Sequence, residues 1–429
     1  MAVHRNKICG WMLGFSVLFS IYASINHSEM KLFSGVLIWL SALFFLNTLN
    51  KGQIKQVVIL IFIGLLGLSW GLMHHQSNDY LYKALEANQS VVTMLIAVGF
   101  LKVFLNTQAI QGAQLPTGKK SLIQTLFGTH ILGSVINMSA VIIVGDRLAQ
   151  KQQLKTIQGA ILLRAFTICN LWSPFFATMG LTLICAPGAR ISTILLYTIP
   201  LSVSALLLTS WAIYRTPEVQ NLSGYPIKLG TLWMPILLAI TILSIHAGLP
   251  DLNIITVVSL TSIVFAVIRM ICQHGPGFYH DLINHIETGI CNSKGEVVVF
   301  SAAALLASGV AAFTTSLHLH LAPDHFGALA ACVTLALLVG LAMLGMHPVT
   351  SVSLAGSLLA PSVQDPNLLA MTLLMGWSIG ITMSPLSGVQ LSIQSRYSIS
   401  AKQLLRHNIP YGIGMLCLCF TVLTLYTHL

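Results

Sequence analysis

Asn170-Leu-Trp-Ser173-Pro174-Phe-Phe176 interrupts an apolar run from about 157 to 186, and Ile381-Thr-Met-Ser384-Pro385-Leu-Ser387-Gly388 interrupts another from about 367 to 395. Proline inside a helix removes a backbone donor and its ring clashes with the preceding turn, so carbonyls are freed. In hydrocarbon no water can satisfy them, and such breaks persist where they line a cavity or bind an ion. Small polar residues surround each break: Asn170 and Thr178 at the first, Ser378, Thr382, Ser387 and Gly388 at the second. A lone Ser or Thr in such a helix more commonly bonds its own backbone. Two Ser-Pro breaks separated by about half of the 429 residues favour a site instead.

The solvent is read from composition. Hydrophobic residues make up 55% of the chain and charged residues 7%, against about 25% charged in soluble domains, and mean hydropathy is +0.83. Apolar runs of the length that spans a bilayer recur throughout. They lie near 10 to 26, 31 to 48, 56 to 74, 90 to 107, 157 to 186, 192 to 213, 229 to 247, 254 to 271, 296 to 315, 367 to 395 and 408 to 427. The expectation is an all-α polytopic membrane protein of about eleven transmembrane helices. The first run follows Arg5 and Lys7 like a signal peptide, but it lacks a small-x-small cleavage site and is read as a retained span. The eight cysteines are scattered without a CxxC pair and are read as small buried hydrophobes.

Segments 119 to 146 and 326 to 363 behave differently and are read as re-entrant hairpins. Loop charge tests this, because a single crossing at either segment would invert everything after it. With both as hairpins and the N-terminus in the cytoplasm, only Lys31, Lys83 and Arg190 of the 21 lysines and arginines fall outside, and Arg164 sits within a span. All the others fall on the cytoplasmic side. The net charge of +10 is therefore a loop charge that orients the chain, not a nucleic-acid surface. The hairpins also share a GxHxxxSV pattern, Gly128-Thr-His130-Ile-Leu-Gly-Ser134-Val135 and Gly345-Met-His347-Pro-Val-Thr-Ser351-Val352. Together with the Ser-Pro pair this suggests an inverted repeat. An extra N-terminal span at 1–30 precedes a first repeat at 31–215, with its hairpin at 119–146 and broken helix at 157–186. The second repeat occupies 228–429, with its hairpin at 326–363 and broken helix at 367–395.

Hairpin tips and broken helices place helix ends near the middle of the membrane, which favours anions at N-termini and cations at free carbonyls. Candidate solute-binding residues are Thr129, His130, Asn137, Arg164, Asn170, His347, Thr350 and Ser387. Candidate sodium ligands are the uncharged oxygen donors Ser134, Ser139, Ser173, Ser351, Ser353, Thr382 and Ser384. Proton coupling would more often show a buried carboxylate, whereas the eleven acidic residues fall almost entirely in loops; Asp146 beside Arg147 reads as an interfacial charge at a hairpin base.

His130 and His347 are read either as site residues at two equivalent tips or as satisfied polar groups between helices. No zinc-ligand spacing accompanies them, and His318, His320 and His325 read as a solvated loop cluster. Arg164 is costly within a span, so it either meets an anionic solute or snorkels to the cytoplasmic face.

Hairpins paired with broken helices in two inverted units resemble the ion transporter superfamily, which includes divalent anion:sodium symporters, arsenite transporters and the large membrane subunits of TRAP carriers. The Ser-Asn-Thr motif of its dicarboxylate members is absent, with Asn137-Met-Ser139 and Ser351-Val-Ser353 at those places. The expectation is a secondary transporter of a small anionic solute, coupled to sodium or protons, in the bacterial inner membrane and without a cofactor; the resemblance implies an elevator mechanism and a homodimer. It implies a mobile part at about 119 to 186 and 326 to 395, and a scaffold of the spans at 31 to 107, 192 to 315 and 408 to 427. Two other readings remain open. One is an integral membrane enzyme acting on a lipid-linked substrate through His130, His347 and Arg164; no loop of this chain exceeds about 25 residues, which disfavours it. The other is the membrane subunit of a binding-protein-dependent carrier.

Overall fold

A computed structural model describes residues 2–74, 78–104, 115–150, 152–226, 233–319 and 323–428. Nineteen α-helices occur among them: α1 Ala2–Asn26, α2 Met30–Phe45, α3 Lys51–Met73, α4 Asp79–Glu86, α5 Gln89–Gly99, α6 Lys119–Ile136, α7 Met138–Ala149, α8 Thr156–Cys169, α9 Ala177–Cys185, α10 Ile191–Arg215, α11 Trp233–Gly248, α12 Ile254–His274, α13 Phe278–Asn284, α14 Lys294–Ser316, α15 Ala328–Met343, α16 Pro348–Leu359, α17 Pro366–Met383, α18 Gly388–Tyr397 and α19 Ala401–His428. Eight helical stretches among the described residues are long and apolar enough to cross a membrane. One of these, Ile254–Ser316, contains both α12 and α14. Counted separately they make nine, against the eleven crossings read in the sequence; Thr156–Cys169, Ile236–Gly248 and Ala328–Met343 are apolar but shorter. The chain is an all-α polytopic membrane protein.

The helices form two compact units. The first comprises residues 1–106 and 237–321, and the second 107–236 and 322–429.

In the first unit, polarity is turned inward. Ser16 and Ser34 are buried where α1 meets α2, with the Ser34 hydroxyl donating to the Ser16 carbonyl at 2.9 Å, while Val58, Phe62 and Leu66 of α3 face outward. The tightest seam runs between α3 and α14. Gly64 and Gly67 of α3 approach α14 so closely that a Cβ on either would meet the backbone of Leu305 or Gly309, and a Cβ on Gly309 would meet the Gly64 carbonyl. Without a hydrophobic driving force between helices in lipid, such close backbone approach supplies the dispersion that holds them together. At α4–α5, Asn88 adopts φ 64° and its amide donates to the Phe300 carbonyl of α14 at 3.1 Å.

In the second unit, the same order of elements occurs twice: a pair of half-length helices, a broken helix and a long helix. These are α6/α7, α8/α9, α10 and then α15/α16, α17/α18, α19. The unit differs from the sequence expectation in two elements. The expected scaffold spans at 192 to 213 and 408 to 427 are α10 and α19, and both group with the hairpins. The cause is burial: half-length helices with polar breaks need covering, and α10 packs on α6 and α8 while α19 packs on α8, α15 and α17. From Leu368 to Met383, α17 is buried on every side.

A clasp closes the base of the first hairpin. Arg396 of α18 grips Asp146 of α7 through Nε and Nη2, both at 2.6 Å, and the Tyr397 hydroxyl bonds Asp146 Oδ1 and the Ile142 carbonyl at 3.0 Å each. The Arg396 fork holds the Asp146 carboxyl below its usual value of 3.8. A depressed folded-state pKa contributes stability that is present above the unfolded value and is lost as pH falls through the folded one. Asp146→Asn is expected to lower stability slightly at neutral pH, by less than about 1 kcal/mol for so exposed a pair. The difference should shrink only below the usual carboxylate range, and thermal unfolding of the two proteins from pH 8 to 3 checks it. A gap that closes already near pH 6 would contradict the assignment.

Candidate functional site

Four chain breaks lie in the second unit, one at each hairpin tip and one in each broken helix. The first tip is Asn137 alone, with φ 58° and ψ −140°. Its side-chain oxygen accepts from the Met138 N–H at 3.0 Å, so it caps α7. The second tip runs from Leu344 to His347, turns on Gly345 at φ 98°, and is capped by His347, whose Nδ1 accepts from the Val349 N–H at 3.2 Å. The breaks in the other two helices are Asn170–Phe176 and Ser384–Ser387.

These tips revise the pairing read from the sequence. His347 sits at its tip, but His130 lies inside α6, about two turns before Asn137. The residue that occupies His347's capping position in the first half is Asn137. The capping pair matches the spacing of the two Ser-Pro breaks to within one residue, whereas the GxHxxxSV pair is displaced by about two turns. Gly, Ser and Val are common in membrane helices, so a short match among them carries no register.

The breaks are tied to one another by named bonds. The Ser173 hydroxyl donates to the Ser134 carbonyl at the end of α6 and accepts from the Phe175 N–H at 3.2 Å, which joins the first broken helix to the first tip. The Thr382 hydroxyl donates to the Thr167 hydroxyl at 2.8 Å, and Ser378 donates to the Thr167 carbonyl at 2.7 Å, which joins the two broken helices. A Cβ added at Gly345 would meet Leu386 at 2.9 Å, and one at Gly380 would meet Pro348 at 3.6 Å, so the second tip meets the second break. Ser392 of α18 reaches Met138 at the start of α7 at 3.9 Å.

Within this cluster the breaks are partly self-satisfied. Asn170 donates to the Phe166 and Thr167 carbonyls at 3.3 Å each and accepts from Thr178. Ser387 and Gln390 donate to the Ile381 carbonyl at 3.0 and 3.3 Å, and Gln390 also donates to the Thr382 carbonyl at 2.7 Å. Ser134 and Ser351 bond their own helices, at the Ile131 and Pro348 carbonyls. Ser384 is buried at the end of α17, and Ser139 is half-buried on α7. The hydroxyls of Thr129, Thr350 and Ser353 are buried with no hydrogen-bond partner among the described residues. A buried hydroxyl without a partner costs about 1–3 kcal/mol; Thr350 and Ser353 follow the second tip in α16, whereas Thr129 lies in α6 further from its tip than His130. Helices α7, α9, α16 and α18 each begin at one of the breaks with no acidic residue in the first turn, and α6, α8, α15 and α17 end there.

Two residues missed in the sequence belong to this cluster: Thr167 and Gln390, both buried. Gln390 carried a usable signal, since a glutamine one turn after a Ser-Pro break can reach the carbonyls that the break frees.

Of the predicted site residues, His130 touches the first break only through Trp172, and the Arg164 side chain lies apart from the breaks. His130 is satisfied on both ring nitrogens: Nδ1 bonds the Ala165 carbonyl at 3.0 Å and Nε2 accepts from the Trp172 indole at 3.1 Å. An indole N–H only donates, so the ring is the neutral Nδ1–H tautomer locked between α6 and α8. Arg164 neither snorkels nor joins the breaks. It is buried, donates from Nε to Asn408 Oδ1 at 2.9 Å and from Nη2 to the His407 carbonyl at 2.7 Å, and stacks over Tyr411 at 4.7 Å. Those partners all lie on α19, where Pro410 interrupts the backbone ladder. Among the described residues no group of three or more His, Cys, Asp or Glu could hold a metal ion. His318 and His325 are exposed, and His320 lies outside the described residues.

No family model and no curated protein matches the chain. Solved structures do. The Alcanivorax borkumensis YdaH transporter, described as having an unusual topology, aligns with a TM-score of 0.60 at 13% identity over 86% of this chain and 98% of its own. Neisseria gonorrhoeae MtrF, of a class of antimetabolite efflux pumps, aligns with a TM-score of 0.52 at 13% identity over 90% of this chain and 98% of its own. The chain has the fold of these membrane transporters. What is shared at such identity is the architecture, and the narrower resemblance to the ion transporter superfamily is carried into the proposal below.

Proposed function

We propose that the protein is a secondary transporter that moves a small, anionic solute through the second unit, with the four chain breaks as its site. The observation that carries this reading is the meeting of both hairpin tips and both broken helices through Ser173–Ser134, Thr382–Thr167 and the packing of Gly345 on Leu386. Four helix N-termini supply partial positive charge for an anion without a formal cation. The partnerless hydroxyls of Thr350 and Ser353, together with the helix C-termini at the breaks, supply neutral oxygen donors of the kind that suit sodium as the coupling ion.

The doubled order of hairpin, broken helix and long helix supports two inverted repeats, at 31–215 and 228–429, after an extra span at 1–30. The separate compactness of the hairpin unit supports an elevator mechanism, in which that unit carries the solute as a body. By the loop-charge argument the N-terminus lies in the cytoplasm, and by the superfamily resemblance the chain works as a homodimer in the bacterial inner membrane, without a cofactor.

The test is uptake into proteoliposomes from a panel of organic and inorganic anions, with and without an inward sodium gradient. At least one anion should accumulate, and its accumulation should collapse when potassium replaces sodium. Uptake indifferent to sodium removes the coupling, and no uptake or exchange of any anion removes the anionic solute.

A further inference from the structure

Arg164 borders a cavity of about 200 Å³ lined by α8, α10 and α19. Its lining includes Ile161, Leu208, Trp211, His407 and Tyr411 and contains no carboxylate. The guanidinium's partners there are neutral, namely an amide oxygen, a carbonyl and a ring face. Asn408, which takes the Nε–H, is itself buried with its Nδ2 unbonded among the described residues. Donors therefore outnumber acceptors around a buried positive charge, and a buried cation without a counterion is costly enough to select for an anion.

The cavity sits at the end of α10 that carries Arg215, whose guanidinium lies over Trp211, while Lys119 lies over Tyr214. Trp211 and Tyr214 are 57% and 64% exposed. Exposed Trp and Tyr beside basic residues mark the headgroup level of a bilayer. From there an exposed apolar stripe, Leu207, Val203, Ile199 and Leu196, runs along α10 at helical spacing.

We propose that this cavity is an anionic phospholipid site, with the headgroup phosphate on Arg164 and an acyl chain along the α10 stripe. Basic pockets between membrane helices at headgroup level take lipid phosphates in this way. The stripe is what favours a lipid phosphate over a free one, which shares the same headgroup chemistry but gains nothing from Leu207 and Val203. The site is distinct from the chain breaks and does not depend on which solute is carried.

The experiment is native mass spectrometry and thermal unfolding of the detergent-purified full chain with phosphatidylglycerol, phosphatidylcholine or inorganic phosphate added. Phosphatidylglycerol should remain bound and raise the thermal midpoint, with the other two giving much less. In Arg164→Met, at least about tenfold more phosphatidylglycerol should be needed for the same shift. Ala212→Phe, which fills the cavity from α10 and leaves the guanidinium in place, should show the same loss, and it decides the matter if Arg164→Met does not fold. Equal retention of phosphatidylglycerol and phosphatidylcholine, or unchanged phosphatidylglycerol binding in the folded variants, overturns the proposal. Inorganic phosphate matching phosphatidylglycerol overturns the lipid as its source.

Discussion

Gly309→Leu is expected to abolish recovery of folded protein. A side chain at this position meets the Gly64 backbone of α3, and Gly67 in turn meets the backbone of Gly309, so neither helix offers a flexible side-chain end that could yield. Overpacking of a core commonly costs about 1–3 kcal/mol where side chains can shift. Here two backbones must separate along the whole α3–α14 seam, against a total stability of about 5–15 kcal/mol for a typical protein. Fluorescence-detected size exclusion of the variant should show aggregate or no peak. Gly99→Ala, where an added Cβ meets nothing within 4 Å, should elute as the parent does. A monodisperse Gly309→Leu protein with an unchanged thermal midpoint would falsify the view that this seam holds the first unit together.

Asn137→Gly should do the reverse, sparing the fold and removing transport. Asn137 holds a positive φ that L side chains rarely adopt, a strain on the order of 1–3 kcal/mol that glycine does not pay. Glycine at a helix N-cap costs only a few tenths of a kcal/mol relative to asparagine. The turn therefore survives the substitution and the thermal midpoint should hold or rise, while the carboxamide at the first tip is gone. If that carboxamide contacts the solute, uptake in proteoliposomes should fall by at least about tenfold, the loss of one buried hydrogen bond of about 1.5–3 kcal/mol when a charged group is involved. A stable variant that transports at the parent rate would make Asn137 a turn residue only. Strain retained at a position that glycine would fill more cheaply is the specific reason to expect the opposite.

Much of the architecture was legible in the sequence because membrane immersion is written locally. A span announces itself by length and hydropathy, and a Ser-Pro break by its missing donor, without reference to any partner. The breaks at Ser173-Pro174 and Ser384-Pro385 occur at the places expected, between α8 and α9 and between α17 and α18. Segments 119 to 146 and 326 to 363 each contain two helices joined by a short turn. The pairing of His130 with His347 was misread because apolar sequence has few letters. Eight positions drawn largely from Gly, Ser and Val align by composition, whereas the tips are set by a capping residue, Asn137 in one and His347 in the other.

Arg164 shows where local reading ends. Its cost in hydrocarbon was evident from one residue in ILLRAFTICN, and so was the need for a partner. Which partner was not, because Asn408 and His407 lie some 240 residues further on, and only the packing of α8 against α19 brings them within hydrogen-bond reach. The same holds for α10 and α19, which are ordinary spans by hydropathy and yet belong with the hairpins, because half-length helices leave polar ends that another helix must cover.

By itself, then, the sequence determined that this chain is a polytopic membrane protein and where its helices break, since each of these follows from the transfer energy or backbone chemistry of a short segment. The tertiary structure alone decided which breaks meet, that Thr167 bonds Thr382, that His130 is closed off between Ala165 and Trp172, and that Arg164 faces a cavity of its own. Those outcomes depend on contacts between residues far apart in the chain, and in a medium where every apolar surface is equally comfortable, only the fit of one helix against another selects among them.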